Sequence, residues 1–212
     1  MSVRTIPKNY RNLTGLAAST KAEKPFFEST LERDFLTLLE FDRSVYTYDV
    51  QPIEVSWTDD NERHRVYTPD VLVHYYPPQQ NILYEVKYRS DLRANWKELK
   101  PKFKAAISHA KSNGWRFKLI TEVEIRTSYM ENARFLLPYL RVETNEEHSD
   151  MLLRQLVQMR QCSIEALIKA IFNDRWAQAE LVPTLWYLIA SGRVCTDLNI
   201  PLTMSSNIWL RK

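Results

Sequence analysis

From Ser29 onward the apolar positions Leu31, Phe35, Leu38 and Leu39, joined by Leu36, recur at helical spacing, so STLERDFLTLLEFD reads as an amphipathic helix opened by Ser29. Three stretches rich in Val, Ile, Tyr and Thr follow, at 45–57, 65–76 and 81–88, and each predicts a strand. Asp59-Asp60-Asn61 and Pro77-Pro78-Gln79-Gln80 separate them as turn signals, and turns this short favour antiparallel neighbours. The period then returns to helical over 99–113, where Phe103, Ala106, Ile107 and Ala110 form the stripe. Pro101 fits the first turn of that helix and Gly114 marks its end. WRFKLIT, 115–121, is the next strand. The order strand 81–88, helix 99–113, strand 115–121 predicts a right-handed crossover joining a parallel pair in one sheet. A further helix is expected at 129–140.

Ahead of this pattern, residues 1–25 are polar and aperiodic and read as an extended arm. Behind it, ETNEEHSD at 143–150 turns acidic, and a boundary is expected there, giving an arm at 1–25, a main domain at 26–145 and a smaller one at 146–212. The smaller domain holds three helix-like segments, 150–160, 163–172 and 176–191, then short strand-like runs at 193–198 and 206–210. Three helices and a β-hairpin make a winged-helix pattern. The aromatic residues Trp176, Trp186, Tyr187 and Trp209 read as core or as a protein interface, the core being favoured since amphipathic helices bury such side chains.

Composition narrows the chemistry. Hydrophobic residues are 44% of the 212, enough for a packed core, and only 3 are glycine, with no GxGxxG or GxxxxGK[ST] to cradle phosphates. Cys162 and Cys195 lack CxxC partners and read as reduced thiols of a cytosolic protein. No apolar run reaches a membrane span, and the N-terminus has no secretory-signal core. Net charge is +3, but its distribution is uneven: Lys87 to Lys118 carries ten basic residues against Asp91 and Glu98, so the remainder is net negative. Such a local excess suits a polyanion, although a solvated helix face would show the same composition.

The informative feature is Thr68-Pro69-Asp70 followed by Glu85-Val86-Lys87, both in predicted strands. Alternation sends Glu85 and Lys87 to one face and Val86 to the other. Charges between apolar neighbours are costly unless neutralised, and a divalent metal with a phosphodiester would do that. Asp70 on the adjacent strand can converge with Glu85 on one hard cation, for which Mg²⁺ is suited and Mn²⁺ a substitute, with Val86 between them as a further candidate ligand. Lys87 would stabilise developing phosphorane charge or orient the attacking water. A bland reading competes: an ion pair on an exposed edge and an aspartate in a turn. The strand context of both motifs and the basic helix that follows favour chemistry. Glu32 shares the apolar face of its helix and would supply a third carboxylate, with Glu28 and Asp34 as fallbacks. Against that, Ser29-Thr30-Leu31-Glu32 fits a capping box in which Glu32 bonds back to the Ser29 amide. The apolar face favours the ligand role. Arg89, Arg93, Lys97, Lys100, Lys102 and Lys104 are candidates for contacts to a phosphate backbone. The four histidines have no metal-ligand spacing, and His74 reads as structural.

STLERDFLTLLEFD, YTPDVLVHY and YEVKY, in this order, resemble the TnsA family of transposon-end endonucleases, well over 28–125 and in general layout beyond. The resemblance implies an α/β restriction-endonuclease-like (PD-(D/E)xK) core with a C-terminal winged-helix-like domain, the family's catalytic positions falling on Glu32, Asp70, Glu85 and Lys87. Glu85 stands where the best-known member has glutamine. It further implies Mg²⁺-dependent cleavage of the 5′ ends of a transposon on double-stranded DNA, beside a TnsB-like DDE transposase and a TnsC-like AAA+ ATPase, in the bacterial cytoplasm or at the nucleoid. Two other functions stay open: a stand-alone restriction or repair nuclease, and a non-catalytic DNA-binding scaffold.

Overall fold

The stripe that follows Ser29 folds as α1 (Thr30–Phe41) in the computed structural model, which describes residues 14–59 and 62–211. Ser29 caps it, its hydroxyl accepting from the Glu32 amide at 3.1 Å. Leu31, Phe35, Leu36 and Leu39 turn inward and pack on Tyr48, Val71, Val73, Tyr84 and Val86 of the central sheet. That sheet runs in the order β3 (Val45–Val50), β6 (Val71–Tyr75), β7 (Ile82–Val86), β8 (Arg116–Ile120). The first three strands pair antiparallel and β7 with β8 parallel, as the strand–helix–strand order requires. Alternation puts Leu72 and Leu83 on the opposite face, against Ala110 of α2 (Arg89–Ser112) and the partly buried Ile53, Trp115 and Phe117. Glu85, two residues from Leu83, shares that α2-facing side.

Two of the three expected strands are broken, both at proline. Continuity of 45–57 fails at Gln51-Pro52, where Gln51 adopts a left-handed φ of 50° and its amide donates to the Asp70 carbonyl at 2.8 Å. Continuity of 65–76 fails at Thr68-Pro69-Asp70. The outer halves become β4 (Val55–Thr58) and β5 (His64–Tyr67), a separate antiparallel hairpin off the main sheet. The basic helix starts ten residues before the predicted 99, at Arg89, and is two pieces joined at Asn95, whose φ of −116° and ψ of 18° are not helical. Pro101 accordingly lies inside the helix and not in its first turn. The Trp96 ring stands 6.1 Å from that of Phe103, two turns on, so ring contact spans the proline. Gly114 follows with φ +71°, the left-handed conformation its position past the helix end calls for.

Of the predicted arm, residues 1–13 lie outside the described ones. Residues 14–25 are not free. β1 (Gly15–Leu16) pairs with β2 (Phe26–Phe27), and the stretch between them fastens to α1. Ser19 donates its hydroxyl to the buried Glu40 carboxylate, joined there by the Thr20 amide at 3.1 Å and the Tyr48 hydroxyl at 2.9 Å. Lys21 donates to the Leu39 and Asp42 carbonyls at 2.8 and 2.6 Å.

The chain divides into two units, the first ending at Arg126 and the second beginning at Thr127, some twenty residues before the predicted boundary. The first closes with α3 (Glu122–Ile125), a helix absent from the expected elements although the T-x-x-E spacing of its Thr121–Glu124 capping box is present in the sequence. The second opens with α4 (Ser128–Leu136) and a 3₁₀ turn (Leu137–Arg141), so the predicted helix at 129–140 changes type at Leu137-Pro138. Phe135 of α4 meets Trp186 edge-on, with ring centroids 5.1 Å apart, which ties this helix to the C-terminal set rather than to the sheet unit. α5 (Glu146–Met159), α6 (Ile164–Ile171) and α7 (Arg175–Ala190) follow. β9 (Gln161–Ser163), β10 (Val194–Thr196) and β11 (Asn207–Leu210) form a three-stranded sheet with β11 in the middle. The expected hairpin therefore gains a third strand. Trp186 is buried as expected, whereas Trp176 is 82% exposed at the start of α7. The cysteines are free. Among the described residues no helix is long and apolar enough to cross a membrane.

Candidate active site

Asp70 sits one residue before β6, held by its neighbours on both sides. Its carbonyl accepts from the Gln51 amide, and its Oδ2 accepts from the Val86 amide at 2.6 Å, so the side chain reaches across to β7. Glu85 and Lys87 project from β7 and its end on one side, as the alternation predicts. The Lys87 ammonium lies 3.4 Å from Glu85 Oε1 and 3.7 Å from Asp70 Oδ2, so both carboxylates flank a position that a cation fills. The Lys87 amide donates to Ile120 of β8 at 3.1 Å, which fixes this strand end from its other side.

Burial makes the cluster electrostatically tense. Glu85 is 1% exposed, and its Oε2 has no hydrogen-bond partner. Desolvation, reinforced by Glu85, pushes the Asp70 carboxyl up to about 7, against the Lys87 charge and the Val86 amide, which pull it down. Burial alone would lower the Lys87 pKa, but Asp70, Glu85 and Glu32 together hold it above the usual lysine range. Tyr67, at the end of β5, is pushed up by burial and then by Glu85 and Asp70, and its hydroxyl is likewise buried without a partner.

Glu32 serves the helix start and faces the cluster at once. Its Oε1 accepts from the Ser29 hydroxyl at 2.9 Å and its Oε2 from the Glu28 amide at 2.8 Å. The return bond of the capping box thus goes to the Glu28 amide rather than to the Ser29 amide. Burial first, and Asp70 second, raise the Glu32 carboxyl to about 7. The fallback acids are engaged elsewhere. Glu28 accepts from the Gln51 side chain at 3.3 Å, and Asp34 pairs with Arg126 at 3.0 Å and Arg33 at 3.1 Å.

Residues 42–122 match the family model of the TnsA-like endonuclease N terminal, and residues 124–198 match that of the TnsA endonuclease C terminal. The chain belongs to the TnsA-type endonucleases. It is therefore a transposon-related nuclease, and the N-terminal match takes in Asp70, Glu85 and Lys87 but not Glu32. The two matches meet beside the division between Arg126 and Thr127. A comparison with the curated proteins finds no match.

A hard cation of the kind such a nuclease would use calls for oxygen donors. Among the described residues no group of three or more His, Cys, Asp or Glu is arranged to hold a metal ion. Asp70 and Glu85 nevertheless offer carboxylate oxygens on either side of a cation position, and Glu85 Oε2 is an orphaned buried acceptor. Oxygen donors of this kind fit Mg²⁺.

Lys102 is the residue whose place the sequence reading missed. Its helix and charge predict a phosphate contact, yet its ammonium is 3.1 Å from Glu85 Oε1 and 4.8 Å from the centre of the Tyr67 ring. The available signal was its position four residues before the buried Ala106, at the rim of the apolar stripe. Tyr67 and Gln51 carry no comparable signal; they reach the site only through the proline-broken strand ends. Arg89 is turned to α3, bonding Thr121 and pairing with Glu124 at 3.4 Å. Arg93, Lys97, Lys100 and Lys104 are exposed and, among the described residues, form no salt bridge; Lys97, Lys100 and Lys104 share one helix face. His74 is structural, bonded to Asp49 and Asn81 at 3.1 and 3.0 Å.

Proposed function

We propose that this chain is a divalent-metal-dependent DNA endonuclease that cuts the 5′ ends of a transposon, with a restriction-endonuclease-like core and a winged-helix-like second unit. The single observation that carries the reading is the placement of Asp70 and Glu85, from neighbouring strands, both within 4 Å of the Lys87 ammonium. Asp70, Glu85 and the Val86 carbonyl would hold the metal, with Glu32 adding charge from α1. When bound, Mg²⁺ supplies Lewis acidity to the scissile phosphate and acidifies a water. Asp70 and Glu85 orient that site from the sheet, and the Val86 amide keeps the Asp70 carboxylate aimed at it. Lys87, held protonated by its carboxylate neighbours, stabilises negative charge gathering on the phosphate oxygens. Lys97, Lys100 and Lys104 lie along the flank as contacts to the DNA backbone, with Arg93 in the short first piece of the helix. Winged-helix character of the second unit is supported by α5, α6 and α7 together with its three-stranded sheet, α4 being additional to that pattern.

The proposed setting is cut-and-paste transposition with a TnsB-like DDE transposase and a TnsC-like AAA+ ATPase in the bacterial cytoplasm. Nicking of a supercoiled plasmid that carries the transposon ends tests it. Cleavage is expected with Mg²⁺ and the transposase present. Asp70→Ala and Lys87→Ala should each lower the rate by about 10³-fold or more, since several kcal/mol of transition-state stabilisation depend on them. An Asp70→Ala protein that cuts like the wild type overturns the assignment. Equal cutting of any DNA without a transposase replaces the transposon role with a stand-alone nuclease.

A further inference from the structure

The Glu85 carboxylate is approached by two lysines on the same oxygen. Lys87 and Lys102 stand 3.4 and 3.1 Å from Oε1, while Oε2 remains buried and unpartnered. Lys87 follows Glu85 on the same strand and is committed to Asp70 as well. Lys102 comes from a different layer, the second piece of α2, and its other neighbours are rings: Tyr67 at 4.8 Å and Phe103 at 5.3 Å from their centres. A cation held by one carboxylate oxygen and two aromatic faces has an alternative seat close by, because withdrawal from the carboxylate leaves it over the rings. Its side chain is 18% exposed, so the ammonium does not have to cross the core to move.

We propose that Lys102 is a positioning residue that occupies the Glu85 carboxylate as an internal counter-cation, which a divalent ion must displace, so that Lys102 sets the metal affinity of the site. This rests on the metal-dependent reading above. The Lys102 ammonium and the metal compete for one anionic group. The stacked Tyr67 ring retains the displaced ammonium nearby, and Glu85 is never left both charged and uncompensated. The device also differs from the role of a phosphate contact, which would place Lys102 on DNA and leave metal binding alone.

Calorimetric titration of the full chain with Mn²⁺, without DNA, separates these possibilities. Lys102→Gln and Lys102→Met should bind Mn²⁺ at least about tenfold more tightly than the wild type, the equivalent of losing one charge-assisted contact as competitor. Lys102→Arg should stay close to the wild type. Unchanged or weaker binding by both neutral variants, with wild-type binding intact, overturns the competition while leaving the metal reading in place. No Mn²⁺ binding by the wild type, or binding that survives Glu85→Gln and Asp70→Asn together, removes the metal reading and this inference with it. A measurement that needs no neutral variant is the lysine ε-ammonium NMR resonance of the wild type, assigned through Lys102→Arg. Saturating Mg²⁺ should shift it; a resonance that stays fixed overturns the proposal.

Discussion

The two units of this chain treat buried polarity in opposite ways. The first buries Asp34, Glu40, Gln51, Glu85 and Thr121, and it holds all four buried side-chain atoms without a hydrogen-bond partner among the described residues: Gln51 Oε1, Trp57 Nε1, Tyr67 OH and Glu85 Oε2. The buried polar residues of the second are Asn132, Ser149, Thr184 and Ser206, none of them ionisable. Its most connected one, Asn132, is fully used: the side-chain amide donates to the Leu198 and Ile200 carbonyls at 2.9 and 2.7 Å, and its oxygen accepts from the Leu202 amide at 3.1 Å. One unit concentrates electrostatic cost around a few carboxylates, which is where proteins perform chemistry; the other spends its polar groups on holding a loop. Stability and activity should therefore respond to mutation independently in the two halves.

The largest effect should come from the apolar half. Leu185 is fully buried, and Leu185→Ala is expected to cost about 2–5 kcal/mol in urea unfolding, by lost transfer energy and a cavity. The Mn²⁺ binding proposed for the first unit should be unaffected; a weakened Mn²⁺ affinity would break the independence. Glu40→Ala comes next, at about 3 kcal/mol, because it strands the Ser19, Thr20 and Tyr48 donors at once. A cost below about 1 kcal/mol would mean that residues 14–25 hold to α1 by other means.

The third effect has the opposite sign. Glu32 and Asp70 titrate at about 7 when folded, above their ordinary 4.5 and 3.8. The folded state thus binds more protons than the unfolded chain, and metal-free stability falls as pH rises from about 4 through 7. Asp70→Asn removes one of these groups while keeping an acceptor for the Val86 amide. Its advantage over the wild type in EDTA should grow by on the order of 2 kcal/mol between pH 5 and pH 8. A pH-independent difference would show that Asp70 is not under charge stress. Asn132→Ala should be the smallest, about 1–2 kcal/mol, read as faster amide exchange around 198–202 rather than as lost cleavage.

Much of this was legible beforehand, and the exceptions share a cause. α1, β7, β8 and the three C-terminal helices followed from periodicity, because each buries one face and its sequence records that face. Asp70, Glu85 and Lys87 were found together because alternation on one strand and a neighbouring Pro-Asp are local patterns. What escaped depends on non-local geometry. Gln51 takes a positive φ that no glycine advertises, and β4–β5 leaves the sheet because two prolines break strands that propensity alone would continue. Lys102 looked like one more lysine on a solvated helix, since only the packed position of that helix reveals which of its lysines turns inward. The acidic run at 143–150 predicts the boundary, but composition does not report that Phe135 meets Trp186 edge-on, fifty residues later.

The placement of β11 between β9 and β10 has a consequence for biosynthesis. The sheet of the first unit has all its strands once Ile120 has emerged from the ribosome, whereas the sheet of the second stays open until Asn207–Leu210 has followed. The half that bears the acidic cluster thus has every strand of its sheet in hand while its neighbour is still being translated.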